Sequence, residues 1–238
     1  MPNHFFRFKQ FTVYQDKCAM KVCTDACLFG AWAADYLQNK NSSNILDIGA
    51  GTGLLSLLLA QKTTAHIDAA EIDGNAFLQA KENFESSNWK ERLQVFNTDI
   101  CDFNPAKKYD FIISNPPFFE NDLKSLQQNK NAAKHDTALN LVTLAEIAKK
   151  LLSPAGYFAV LLPYHRTNYF INEAKKQGLY CNKTVLVKQT AGHTYFRSML
   201  LLSAIETAAG EKEITIKDTT GNYTAAFSSL LKDYYLYL

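Results

Sequence analysis

Asp47-Ile48-Gly49-Ala50-Gly51-Thr52-Gly53 leads without a gap into the apolar run LLSLLLAQ. Alternating glycines let a backbone turn sharply and let a ligand approach a helix N-terminus closely. Glu71 ends the next apolar run but one, NILDI being the first and HIDAAEI the strand that carries it. At roughly 20 residues beyond the loop, a carboxylate there can accept from both hydroxyls of a ribose. The two features agree on an adenosine-type ligand, and a dinucleotide-binding oxidoreductase has the same spacing. A glycine turn that merely joins a strand to a helix is the plainer alternative. Asp47, in front of the first glycine, bears on the choice. A pyrophosphate favours bare amides, whereas a ligand with an ammonium group accepts a nearby carboxylate.

A second element follows the run YDFIIS: Asn115-Pro116-Pro117-Phe118. Consecutive prolines stop a strand and fix the backbone, so the Asn before them is held in one orientation. The Asn115 side-chain oxygen and the Pro116 carbonyl can each accept an N–H from one planar NH2 group. That grip makes a conjugated nitrogen more pyramidal, aims its lone pair at an electrophile and stabilises the positive charge that develops on it. Phe118 and Phe119 can stack on the planar group, a contact worth about 1 to 3 kcal/mol per base in single-strand binders. Core packing is the alternative for both rings.

Such chemistry needs a scaffold that brings both loops to one edge. NILDI, HIDAAEI, RLQVF, YDFIIS and YFAVLLP alternate with helical runs, which means crossover connections and a parallel sheet covered on both faces. TVLVK and YFRSMLLLS, with no clear helix between them, add an antiparallel pair. The expectation is an α/β doubly wound, mostly parallel, seven-stranded sheet. The tail from Glu213 to Leu238 reads as one more strand and a terminal helix of undetermined place. Residues 6–14 read as a hairpin, and Thr24 or Asp25 as the cap of a helix carrying Leu28, Trp32 and Tyr36. Thr143 and Glu146 read as a capping box. We expect one domain over 1–238: an extension over the site (1–40), the core (41–204) and a C-terminal strand and helix (205–238).

At 238 residues, with 47% hydrophobic, the chain can bury one sizeable core. No apolar run of about 18 residues and no secretory leader is visible, so a cytoplasmic, membrane-free protein is expected. Five cysteines without a CxxC pair suggest reduced thiols and no metal. The net charge is only +2, so polyanion binding must come from local patches. One is Arg7, Lys9, Lys17 and Lys21 among Phe5, Phe6, Phe8 and Phe11. The other is Arg166, Lys175, Lys176, Lys183, Lys188 and Arg197. Arg7, Lys9 and Arg166 are the candidates for holding the phosphates of such a polyanion. The polar stretch Glu120–Asp136 has the length of a functional loop, and His135 in it could reach a substrate.

The DxGxGxG loop, Glu71 and the NPPF element together resemble class I S-adenosylmethionine-dependent methyltransferases that act on adenine, guanine N2 or protein glutamine nitrogens. The resemblance runs from Asn44 to about Ser203. It implies S-adenosylmethionine as cofactor, held by Asp47, Gly49, Gly51, Gly53, Glu71 and Asn115. It also puts Asp99 beside the adenine amine and Ile100 against the same ring. The N-terminal FRFKQFTVYQDKCAMKVCTDACLFGAW, with KQF, AMKV, TDA and LPYH, is most similar to the tRNA adenine-N6 methyltransferases that act on valine tRNA beside the anticodon. That family implies a tRNA partner and places Thr24 and Asp25 at the methionine end of the cofactor. Cys23 and Cys27 stand here where the family more often has glycines. A monomer is expected. Glutamine or guanine-N2 methylation, an oxidoreductase and a silent RNA-binding module are the competing readings.

Overall fold

A computed structural model describes residues 3–38, 40, 42–117 and 140–238. The strands are β1 (Phe5–Arg7), β2 (Thr12–Tyr14), β3 (Asn44–Ile48), β4 (His66–Glu71), β5 (Leu93–Asn97), β6 (Tyr109–Ser114), β7 (Leu152–Pro163), β8 (Tyr180–Thr190), β9 (Tyr195–Ser203) and β10 (Gly210–Lys217). The helices are α1 (Thr24–Leu37), α2 (Leu54–Lys62), α3 (Gly74–Glu85), α4 (Leu141–Leu151), α5 (Thr167–Lys176) and α6 (Ala225–Leu231).

The main sheet has the order β10-β8-β9-β7-β6-β3-β4-β5. All neighbours are parallel except β9, which runs antiparallel to β7 and β8. Alternate residues of each strand enter different cores, because side chains on a strand point to opposite faces in turn. Ile45, Ile67, Phe111 and Leu161 join α1, α2 and α6 on one face. Leu46, Ile112, Val160 and Leu162 join α4 and α5 on the other. Continuous apolar runs such as FII are the sequence trace of this two-sided burial.

The doubly wound, mostly parallel sheet agrees with expectation, but among the described residues it carries eight strands rather than seven. The eighth is the tail strand β10, which pairs in parallel with β8 from Gly210 opposite Lys183 to Lys217 opposite Thr190. Ile216 is 1% exposed within the first core, so its burial decides where the tail goes. The N-terminal hairpin forms as β1 and β2, with Phe6 opposite Val13. Phe8 and Phe11 are buried and stack 4.5 Å apart, and Phe8 also packs against Tyr235 near the C-terminus.

Two helix starts differ from expectation. α1 is capped by neither Thr24 nor Asp25: Cys23 is its N-cap residue, without a side-chain cap bond. Asp25 instead accepts from Arg197 of β9, Nε to Oδ2 at 2.8 Å, a partner of opposite charge that outcompetes a backbone amide. α4 has no Thr143–Glu146 box; Asn140 caps it, accepting from the Thr143 amide at 2.9 Å. Among the described residues no helix is long and apolar enough to cross a membrane.

Candidate active site

β3 lies between β4 and β6 in the sheet, so the chain leaves it in one direction and returns on the other side. Such a switch point opens a crevice at the carboxyl ends of the strands. The glycine loop follows β3 and Asn115 follows β6, with Ile48 directly opposite Ser114. The Ser114 hydroxyl donates to the Ile48 carbonyl at 2.9 Å, fastening the two motifs together at their roots. Between them lies a cavity of about 840 Å3, a size typical of small-molecule sites.

The loop glycines have positive φ, at 74° for Gly49, 56° for Gly51 and 79° for Gly53, but they serve different ends. Gly49 and Gly51 line the cavity, and a Cβ would meet nothing at Gly49 and only Cys18 Sγ, at 3.9 Å, at Gly51. They leave room for a ligand. At Gly53 a Cβ would stand 2.5 Å from the Phe84 ring, so this glycine lets α2 close on α3 and does not line the cavity. Glu71, at the end of β4, accepts from the Gly51 amide at 2.7 Å and the Asp73 amide at 2.9 Å, one on each oxygen. Each oxygen keeps a second lone pair. Asp99 and Ile100 line the same cavity, and Asp99 accepts from the Cys101 amide at 2.8 Å. Glycine space, a held carboxylate and these two side chains fit a nucleoside.

Asp47 is fully buried and does not line the cavity. Its Oδ2 accepts from the Ser56 hydroxyl at 2.7 Å and amide at 3.2 Å, while Oδ1 has no partner among the described residues. Burial pushes its carboxyl up to about 7, against the two Ser56 bonds, with Glu71 adding repulsion. Asp73 caps α3, accepting from Ala76.

Asn115, Pro116 and Pro117 all line the cavity. The Asn115 side-chain oxygen is buried and has no hydrogen-bond partner among the described residues. An unpaired buried oxygen is costly, and such atoms gather where a ligand completes them. Phe118, Phe119 and His135 lie outside the described residues.

The N-terminal segment reaches the cavity through Lys17, Cys18, Ala19 and Met20 rather than through Thr24 and Asp25, which are not among its lining residues. Sequence reasoning did not find the residues that hold this segment. Asn83 of α3 accepts from the Tyr14 amide at 2.9 Å and donates to the carbonyls of Tyr14 and Thr52, each at 2.8 Å. One buried amide thus ties the hairpin to the glycine loop. Gln79, one turn earlier, accepts from the Lys17 amide at 3.0 Å. Their spacing of four residues puts them on one helix face, the only trace they leave in the sequence.

Among the described residues, half of the ten cations in the basic patches are paired with acids, Arg197 with Asp25 among them. Lys175 pairs with Glu206, Lys176 with Glu173, Lys188 with Glu213 and Lys17 with Glu82. Lys9 donates to the Lys232 carbonyl, and Arg166 stacks over Tyr169 at 5.0 Å. Arg7 is exposed on β1. Burial pushes the Cys23 and Cys27 thiols up to about 12, so neither supplies a ready thiolate.

Residues 31–165 match the model of the methyltransferase small domain. The chain is 39% identical over 239 residues to a tRNA1(Val) (adenine(37)-N6)-methyltransferase of Parabacteroides distasonis, covering 99% of each chain. It is 41% identical over 245 residues to the protein of that name in Trichodesmium erythraeum, again covering 99% of each. Among solved structures it resembles a predicted O-methyltransferase from Agrobacterium tumefaciens, with TM-score 0.67, 16% identity and 88% and 96% of the two chains covered. It also resembles a glycopeptide N-methyltransferase solved with S-adenosylmethionine, with TM-score 0.55, 10% identity and 75% and 94% covered. At these identities the structural likenesses concern the fold.

Proposed function

The chain belongs to the methyltransferase small domain family and, within it, to the tRNA adenine-N6 methyltransferases, and from that premise we propose how it methylates the N6 amine of adenine 37 in a valine tRNA. S-adenosylmethionine supplies the electrophilic methyl carbon. Glu71 holds the ribose hydroxyls, Asp99 and Ile100 the adenine, and Gly49 and Gly51 make the close approach possible. Asp47 acts from behind the loop, where its bonds to Ser56 hold the end of β3 against α2.

Asn115 and Pro116 perform the step on the acceptor. The Asn115 Oδ1 and the Pro116 carbonyl each accept one N–H of the target amine, which orients the nitrogen lone pair and stabilises its developing charge. No strong base is needed first, because that nitrogen becomes acidic only as its new bond forms. Positioning and electrostatics carry the rate. A base in an anticodon loop is already unpaired, so delivering it avoids much of the cost of opening a duplex. Arg7, Lys9 and Arg166 are the side chains assigned to the RNA backbone, with Phe118, Phe119 and His135 assigned to the substrate side. Lys17 to Met20 at the cavity support reading residues 1–40 as a cover over the site. The enzyme is assigned to the cytoplasm, where its tRNA is used, and to action as a monomer.

The buried Asn115 oxygen at the cavity, without a hydrogen-bond partner among the described residues, carries this mechanism. Incubation with labelled S-adenosylmethionine and bulk tRNA should yield N6-methyladenosine, and Asn115→Ala should lose turnover while still binding the cofactor through Glu71, Asp99 and the glycine loop. Label appearing only in added ribosomal protein would refute the RNA substrate, and unchanged turnover in the variant would refute the mechanism.

A further inference from the structure

A second cavity, of about 470 Å3, opens beside the N-terminal end of α5, and Tyr164, His165, Asn168, Thr184, Tyr195 and Glu211 stand in its wall. β7 ends at Pro163, and β9, antiparallel to it, begins at the same edge, with Pro163 opposite Arg197. β7 is also the neighbour of β6, whose end carries Asn115. Tyr164 and Tyr195 therefore stand on the rim where the reaction occurs. The wall of this cavity lies one to four strand spacings from β6, from Tyr164 after β7 to Glu211 on β10, about 5 to 20 Å from the strand that carries Asn115. A polymeric substrate that puts one base into the first cavity can lay its neighbouring nucleotides along that rim.

The rim is held stiffly. The Tyr195 hydroxyl donates to Glu213, the Lys188 ammonium sits 4.5 Å from the Tyr195 ring centre, and the Tyr164 ring packs 5.2 Å from it. Beneath them the buried hydroxyls of Thr167 and Ser198 are bonded at 2.6 Å. Tyr164 is 42% exposed, so its ring still offers surface to a base. Asn168 and Glu211 are exposed and have no partner among the described residues. Glu211 can only accept, which suits an exocyclic amine and gives nothing to a base that presents carbonyls alone.

We propose that this cavity binds a second unpaired nucleobase of the RNA, one carrying an exocyclic amine, which stacks on Tyr164, donates to Glu211 and so selects the adenine delivered to Asn115. The inference rests on the tRNA reading above and extends it to substrate choice.

The test is steady-state methylation of an anticodon stem-loop in which each nucleotide flanking the target is made abasic in turn, using the wild type, Tyr164→Ala and Glu211→Ala. One abasic position should lower the wild-type kcat/KM about tenfold, mainly through KM, as loss of one stacked base does. On intact RNA each variant should show a loss of that order, with S-adenosylmethionine affinity unchanged. The same abasic position should then cost the variants less than about twofold more, since the paired groups are already gone. Variants that match the wild type on intact RNA, or abasic penalties that are equal in all three proteins, would overturn the proposal. A wild type inactive on intact RNA would instead bring down the tRNA reading, and this inference with it.

Discussion

Asn115 and Asp47 both keep a buried oxygen without a partner among the described residues, yet the two are placed differently. Asn115 lines the cavity, so a substrate amine can complete it; Asp47 is not among the lining residues. A buried oxygen left unpaired costs about 1 to 3 kcal/mol. Asn115→Ala should accordingly not lower the melting temperature, while kcat falls by about two to three orders of magnitude, as on removal of one transition-state partner. A variant that unfolds early would mean the side chain is structural. For Asp47 the folded-state pKa of about 7 lies above the ordinary 3.8. The folded chain binds that proton more tightly than the unfolded one, so the group favours folding at low pH and withdraws this support as pH climbs through 7. Asp47→Asn can still accept from Ser56 and carries no charge. Relative to wild type, its melting temperature should be higher at pH 8 than at pH 5, and an equal offset at both values would contradict the shift.

At the level of elements, the glycine loop is braced by α3. Substituting Asn83 by Ala would strand the buried Thr52 carbonyl, at about 1 to 3 kcal/mol, and the part-buried Tyr14 amide and carbonyl, at less for each because water can reach them. Denaturant melts should register a loss of about 2 to 4 kcal/mol. Cofactor titration should register weaker binding, because the loop is freed on one side. Lower stability at unchanged affinity would make the clamp a packing device alone. The glycines allow a sharper comparison. Gly49→Ala and Gly53→Ala both force a side chain into the left-handed region, at about 1 to 2 kcal/mol. Only the second also drives a Cβ into Phe84. Gly53→Ala should therefore melt at a lower temperature than Gly49→Ala, and the reverse order would mean that α2 and α3 separate easily.

For the molecule as a whole the net charge is only +2, and five of the ten cations in the two basic patches are already paired, with Glu82, Glu173, Glu206, Glu213 and Asp25. RNA binding must then lean on stacking and on base contacts at the rim. The slope of log affinity against log salt should be no steeper than about −3, which corresponds to about three phosphate contacts. Titration of tRNA between low and moderate salt measures it. A slope near −6 would show that the pairs open to bind phosphate.

Much of this was legible in local patterns. The runs NILDI and YDFIIS announce β3 and β6 because two-sided burial demands unbroken apolar residues, and the glycines of the loop and the prolines after Asn115 announce turns that other residues resist. These signals are short-range, set by backbone sterics and by which face meets water. Contacts between distant segments leave no such mark. The Asp25–Arg197 pair joins residues 172 apart, Asn83 reaches Tyr14 across 69, and β10 returns to the outer side of β8. Each depends on which surfaces remain uncovered once the sheet has formed. A carboxylate or amide carries no record of its partner until the chain has closed around it.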